Sequence, residues 1–220
     1  MGDPATETRI EPRWPVVLTI AAVLLLLSFL PGRVRVFPPW VPYLFVAAVI
    51  LPMAALTVSA AKAWWLRIER VVTLLFMAIV GFNVIFALQH LLSTMVQHSG
   101  ELTGLQLLSS SIGVWAANLL LFSLAYWRTD GGGPEARLNH ASKKCDWLFP
   151  QAGAPEHVPP DWHPAFVDYL FLSFCTATAF SPTDAQPLTS RAKLLMMGES
   201  VVSLVTIIAV ASRAINILGS

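Results

Sequence analysis

The chain has 220 residues, of which 55% are hydrophobic and only 12% charged, with a net charge of +1. A soluble domain carries about twice that share of charge. The balance excludes a basic nucleic-acid binder, and no Lys/Arg-rich tract is present to form one.

The apolar residues fall into blocks that approach or reach the roughly 20 residues a helix needs to cross a bilayer. Residues 1–13 are a polar tail. The first block, Pro15–Leu30, has Arg9 and Arg13 ahead of it, as a signal peptide would, but no small-x-small cleavage site follows. It reads as a retained first span. A Pro/Arg turn from Pro31 to Trp40 leads to the second block, Val41–Ala61, which Pro52 is expected to kink. A basic, aromatic connector, Lys62–Arg70, precedes the third block, Val71–Val96.

The fourth block, Leu105–Trp127, carries Ser109, Gly113 and Ala117 at four-residue spacing. That is a small-xxx-small face suited to close helix packing, with Asn118 beside it. Residues 128–163 form a long polar loop, punctuated by Gly131–Pro134 and by Pro150, Pro155, Pro159 and Pro160. His140, Cys145, His157 and His163 share it, but their spacing matches no zinc pattern. No metal site or cofactor is expected, and no nucleophile-elbow, Walker or dinucleotide motif points to an enzyme.

The next block, Pro164–Phe180, stops at Ser181-Pro-Thr-Asp184, and a last block, Ala192–Leu218, follows. Pro182 breaks the helix, and Thr189 or Ser190 can cap the one that follows. Two placements are open. The fuller length, to Thr183, suffices for a true span, which is the favoured reading; the other is a re-entrant segment whose turn lies within the membrane. In the last block Glu199, Ser203, Thr206, Val210 and Arg213 lie in a wedge of roughly 80°. An ionisable residue such as Glu199 inside a span must face protein or water.

The fold expected is therefore all-α: a polytopic transmembrane helical bundle of about six membrane segments, the fifth spanning or re-entrant. Residues 14–127 supply four spans and 164–220 a helical hairpin or pore-loop-like unit. With the N-terminus inside, Arg9, Arg13, Lys62, Arg67, Arg70, Arg128, Arg137, Lys143 and Lys144 all fall on the cytoplasmic side, as the positive-inside rule requires.

The stretch Thr176-Ala-Thr-Ala-Phe-Ser-Pro-Thr-Asp-Ala-Gln-Pro187, followed by a long helix, resembles the pore-loop unit of potassium channels. That resemblance implies Thr176, Thr178, Ser181, Pro182, Thr183 and Asp184 as pore or constriction residues. The family's two filter glycines correspond to Ser181 and Thr183, so its ladder of carbonyls does not carry over unchanged. Over about half the chain, Asn118, Tyr126-Trp127, Asp130, Gly132-Gly-Pro134, Phe149-Pro-Gln151, Phe166-Val-Asp-Tyr169 and Ala179-Phe-Ser-Pro-Thr-Asp184 are similar to a family of small bacterial multi-pass membrane proteins. That family supplies a location, the bacterial inner membrane, but no activity.

The function expected is a channel-like or transporter-like module for small ions built on the last two segments. Glu199, Ser203 and Thr206 would line its pathway. A small cation, the bilayer and further copies in a homo-oligomer are the expected partners. The alternative is a non-transporting membrane protein that binds a partner through the 128–163 loop.

Overall fold

A computed structural model describes residues 14–28, 63–97, 104–138, 144–159, 162–178 and 185–218. The second apolar block and Ser181–Asp184 lie outside these. The described chain is helical almost throughout: α1 (Trp14–Ser28), α2 (Ala63–Gln97), α3 (Gly104–Thr129), the short α4 (Pro134–Leu138), α5 (Phe166–Thr178) and α6 (Ser190–Leu218). Two short strands, β1 (Trp147–Leu148) and β2 (Gln186–Pro187), pair antiparallel.

Three helices are long and apolar enough to cross a membrane, over Arg70–Ser93, Leu108–Gly132 and Ser190–Ser212. Their outward faces carry exposed Leu75, Phe82, Ile85, Ile112, Val201, Leu204 and Ile208. In water such a surface would be a liability; against lipid tails it is the stable one. Residues 63–70 were expected as a connector and instead begin α2. The run has no Pro or Gly before Gly81, so nothing ends the helix sooner.

Helix α3 is the centre of the bundle, packed by α1, α2, α5 and α6. Its buried side includes Ser110, Val114, Ala117, Asn118, Leu121, Leu124, Tyr126 and Trp127. The expected small-xxx-small seam is only partly used. Ala117 is buried, but Ser109 is exposed and a Cβ at Gly113 would meet nothing within 4 Å.

The decisive feature is where the chain goes after α5. Phe174 packs edge-on against Trp115, so α5 penetrates to about the middle of α3. Its 13 residues are about 20 Å long, well short of a hydrocarbon core of about 30 Å. Ala185 then lines a cavity of about 70 Å³ together with Phe149, Gln151, Asp168 and Leu172, beside the start of α5. Trp147 faces Pro187 and Leu148 faces Gln186 across the strand pair. The Leu188 N–H donates to Asp146 O at 2.8 Å. Both flanks of the α5 unit are thus at one end of α3 and α6. The chain following α5 is therefore back beside the start of that helix at Ala185.

Candidate functional site

The loop after α3 forms a cap built on acidic side chains. It starts at three glycines with positive φ, Gly131 (57°), Gly132 (88°) and Gly133 (107°), a path that residues with a Cβ adopt only with strain. The turn leaves Asp130 buried at 1% exposure. Asp130 Oδ1 accepts from the Asp146 N–H at 2.6 Å, and Oδ2 accepts from the Tyr169 hydroxyl at 2.5 Å. Asp146 in turn accepts from the Thr189 hydroxyl at 2.6 Å, the Gly131 N–H at 3.2 Å and Arg191 Nη2 at 2.5 Å. Burial pushes the Asp146 carboxyl up, but hydrogen bonds from Thr189 and Arg191, the Arg191 charge and the Gly131 N–H outweigh it and hold it below the usual carboxylate range.

Each partner has a second task. Thr189 caps α6 by accepting from the Ala192 N–H at 3.2 Å. Arg191 also donates to Thr129 O at 2.7 Å, the C-terminal end of α3. Arg137 Nη1 donates to Trp127 O and Asp130 O at 2.8 and 2.7 Å and lies over the Tyr169 ring at 5.0 Å. The long polar loop is therefore, in its described residues, a folded cap. Asp168 lies in the first turn of α5: its carboxylate accepts from the Ala165 N–H at 2.8 Å, while the Asp168 N–H donates to Ala165 O at 3.0 Å.

Beneath the cap lies the buried carboxyl of Glu199, with 0% exposure. The Tyr126 hydroxyl from α3 bonds its Oε2, and the Ser173 hydroxyl from α5 bonds its Oε1. Ser173 Oγ is also 2.7 Å from Leu119 O. One turn along α6, Ser203 Oγ accepts from Asn118 Nδ2 at 3.0 Å, and the Asn118 amide also reaches Glu199 O at 3.4 Å. Asn118 Oδ1 is buried without a partner. Thr176 faces the Tyr126 hydroxyl. Among the described residues no cationic side chain pairs with Glu199.

Of the residues singled out in the sequence, Glu199 and Ser203 come together with Asn118 in this cluster. Thr206 is on the same inward face but bonds only Val202 O in its own helix, at 2.7 Å. Thr176 Oγ1 donates to Leu172 O and Thr178 Oγ1 to Phe174 O, both inside α5. Ser181, Pro182, Thr183 and Asp184 lie outside the described residues, as does the Arg213 side chain. Tyr126 entered the sequence reading only through the family resemblance, and Ser173 not at all. The usable signal was Tyr169, Ser173 and Thr176, a polar stripe at steps of four and three on an otherwise apolar helix.

The two layers touch. The Trp147 ring lies 4.9 Å from that of Tyr126, and its indole N–H points to Met196 Sδ at 3.4 Å, three residues before Glu199. The cap residue is thus wedged between two neighbours of the buried acid. The chain matches no family model, no curated protein and no solved structure.

Proposed function

We propose that this is an integral protein of the bacterial inner membrane, with its N-terminus cytoplasmic, whose last two membrane segments form a channel-like or transporter-like module for small ions. The observation that carries the reading is Glu199. A carboxyl at 0% exposure in an apolar helix is costly, and here it has hydroxyl ligands but no cationic partner among the described residues. Such a group has two ways to lose its charge: take up a proton or bind a cation.

The surroundings favour a cation over an anion. The described helix α5 ends at Thr178 near the middle of α3, so the negative end of its dipole lies at mid-bundle depth. Half-crossing helices that aim one end at an ion are a recurring device of transporters and pore loops. On the positive-inside argument the cap is cytoplasmic, so α5 enters from the cytoplasm as a re-entrant segment. Glu199 meets Tyr126 and Ser173 of its own chain, so a path through it runs within each protomer; a homo-oligomer would hold several such paths rather than share one. The partner-binding alternative has less behind it, because Asp146, Trp147 and Phe149 of the loop are already buried in this chain.

The test is flux in liposomes holding the purified protein, with separate dyes for protons, sodium and potassium. Flux of one of these above protein-free liposomes, reduced at least about tenfold by Glu199→Gln, is the expected result; tenfold corresponds to about 1.4 kcal/mol on the barrier. No flux of any of the three ions would overturn the reading.

A further inference from the structure

We infer that the ion held at Glu199 is a proton, and that the Ser173 hydroxyl is the rotor that lets it come and go. The inference deepens the ion-module reading and rests on it for the purpose of the site. It comes from counting hydrogens. Three O–H groups meet here when the acid is neutral, and each finds one acceptor. Tyr126 donates to Glu199 Oε2; the acid's own O–H, on Oε1, donates to Ser173 Oγ; Ser173 donates onward to Leu119 O at 2.7 Å. The carboxyl's one donor is used, and each of its oxygens has a hydroxyl partner.

In the ionised state the count changes by one. The Oε1–H bond breaks and the proton passes to a water molecule, giving hydronium. The Ser173 hydroxyl then turns from Leu119 O to Oε1, and Tyr126 continues to donate to Oε2. Two hydroxyls serve the carboxylate, and Leu119 O gives up its extra bond. A single side chain, pinned between a backbone carbonyl of α3 and the acid of α6, therefore satisfies both states. Asn118 Oδ1, buried without a donor one turn away, offers an acceptor for the arriving water.

A metal cation fits less well. It needs its own set of several oxygen ligands around it, yet each carboxyl oxygen already has a hydroxyl partner. Among the described residues, no charged or titratable group on the packed helices other than Tyr126 contacts the acid. On α3, Arg128 is 3.6 Å from Glu135, and Asp130 serves the cap. On α5, Asp168 holds the Ala165 N–H, Tyr169 holds Asp130, and Cys175 is buried. On α6, Arg191 holds Asp146 and Lys193 is exposed. On α2, Arg70 holds Gly132 O at 2.7 Å and His90 is half-buried. Tyr126 is the titratable side chain in contact with Glu199.

The experiment is infrared difference spectroscopy on the purified protein over a pH series, paired with the liposome dyes. The expected result is a protonated-carboxyl carbonyl band near neutral pH in the wild type and none in Glu199→Gln. Ser173→Ala, a small change in a packed helix, should keep the band but displace its titration about tenfold in proton concentration, the scale of one hydrogen bond to a charged group. Absence of the band, or its loss on adding sodium or potassium at fixed pH, overturns the inference. Flux of sodium or potassium without protons overturns it too and leaves the ion module standing. A band that titrates as expected with no flux of any ion supports the proton site and overturns the module.

Discussion

Replacing Asp146 by Asn tests whether one carboxylate holds the cap to α6. Asn keeps the shape and can still accept one bond, from Thr189, but its amide would face the donors Arg191 Nη2 and Gly131 N–H. The Arg191 side chain is 54% exposed, so water and salt limit its share to at most about 1 kcal/mol. The buried Gly131 bond to a charged acceptor contributes about 1.5 kcal/mol. Together the loss is about 1.5–2.5 kcal/mol, or a rise of about 10- to 60-fold in cap opening at about 1.4 kcal/mol per factor of ten. Amide hydrogen exchange reads this directly at Leu188, whose N–H is held by Asp146 O. The effect has a pH signature. The folded carboxyl sits below its unfolded value, so its contribution is full above the unfolded value and disappears as pH falls through the folded one. Wild type should therefore converge on Asp146→Asn in acid, below about pH 4. Exchange at Leu188 that is equal in both proteins at neutral pH would refute the reasoning.

Three further outcomes follow from the same geometry. With Cys145 and Cys175 replaced by Ser, a cysteine at exposed Leu188 should react with an impermeant maleimide from the same side of the membrane as native Cys145 does in its own single-cysteine protein; opposite sides would mean that α5 crosses. Burial and the nearby Asp130 and Asp146 carboxylates raise the Cys145 thiol, so labelling is run at mildly alkaline pH. Trp147→Ala removes a ring at 1% exposure and should cost about 3–5 kcal/mol in unfolding by denaturing detergent; a cost under about 1 kcal/mol would show that the wedge is not a packed one. A double-mutant cycle on Asn118→Ala and Ser203→Ala should give a coupling of about 0.6 kcal/mol and no more than about 1.7, the range for hydroxyl and amide pairs between membrane helices; a value near zero would mean that their 3.0 Å bond is not a favourable contact.

The sequence reading succeeded where the signal was periodic and failed where it was pairwise. Apolar blocks delivered the helices α1, α3 and α6 to within two residues at each end. The polar wedge on the last block put Glu199, Ser203 and Thr206 on one face, and all three are buried on it. What periodicity could not carry was which polar residues meet across helices. Glu199 and Tyr126 are 73 residues apart, and Asp146 and Arg191 45 apart. Nor could length alone place α5. Pro164–Thr183 is long enough to span, but its helix runs only from Phe166 to Thr178. That Ala185 lies back beside the start of α5 is visible only through the strand pair, the cavity it lines and the bonds to Asp146.

These missed pairs have a common physical cause. A helix of 13 residues, about 20 Å long, does not by itself reach the two water interfaces that fix a full span. It must be held by protein on its sides and at its one anchored end. Its sides are met by hydroxyl contacts, Ser173 to Leu119 and Glu199, in place of the purely apolar packing that lipid would also offer. The anchored end needs the chain before it and the chain after it tied together, which the Asp130–Asp146–Arg191 cap and the β1–β2 pair do. Asp130 and Asp146 of a nominally polar loop are buried for that reason. Tyr126 then joins the two tasks in one side chain, its ring against Trp147 of the cap and its hydroxyl on Glu199. A displacement of the cap must move the ring, and a movement of the ring must change the donor set of the acid.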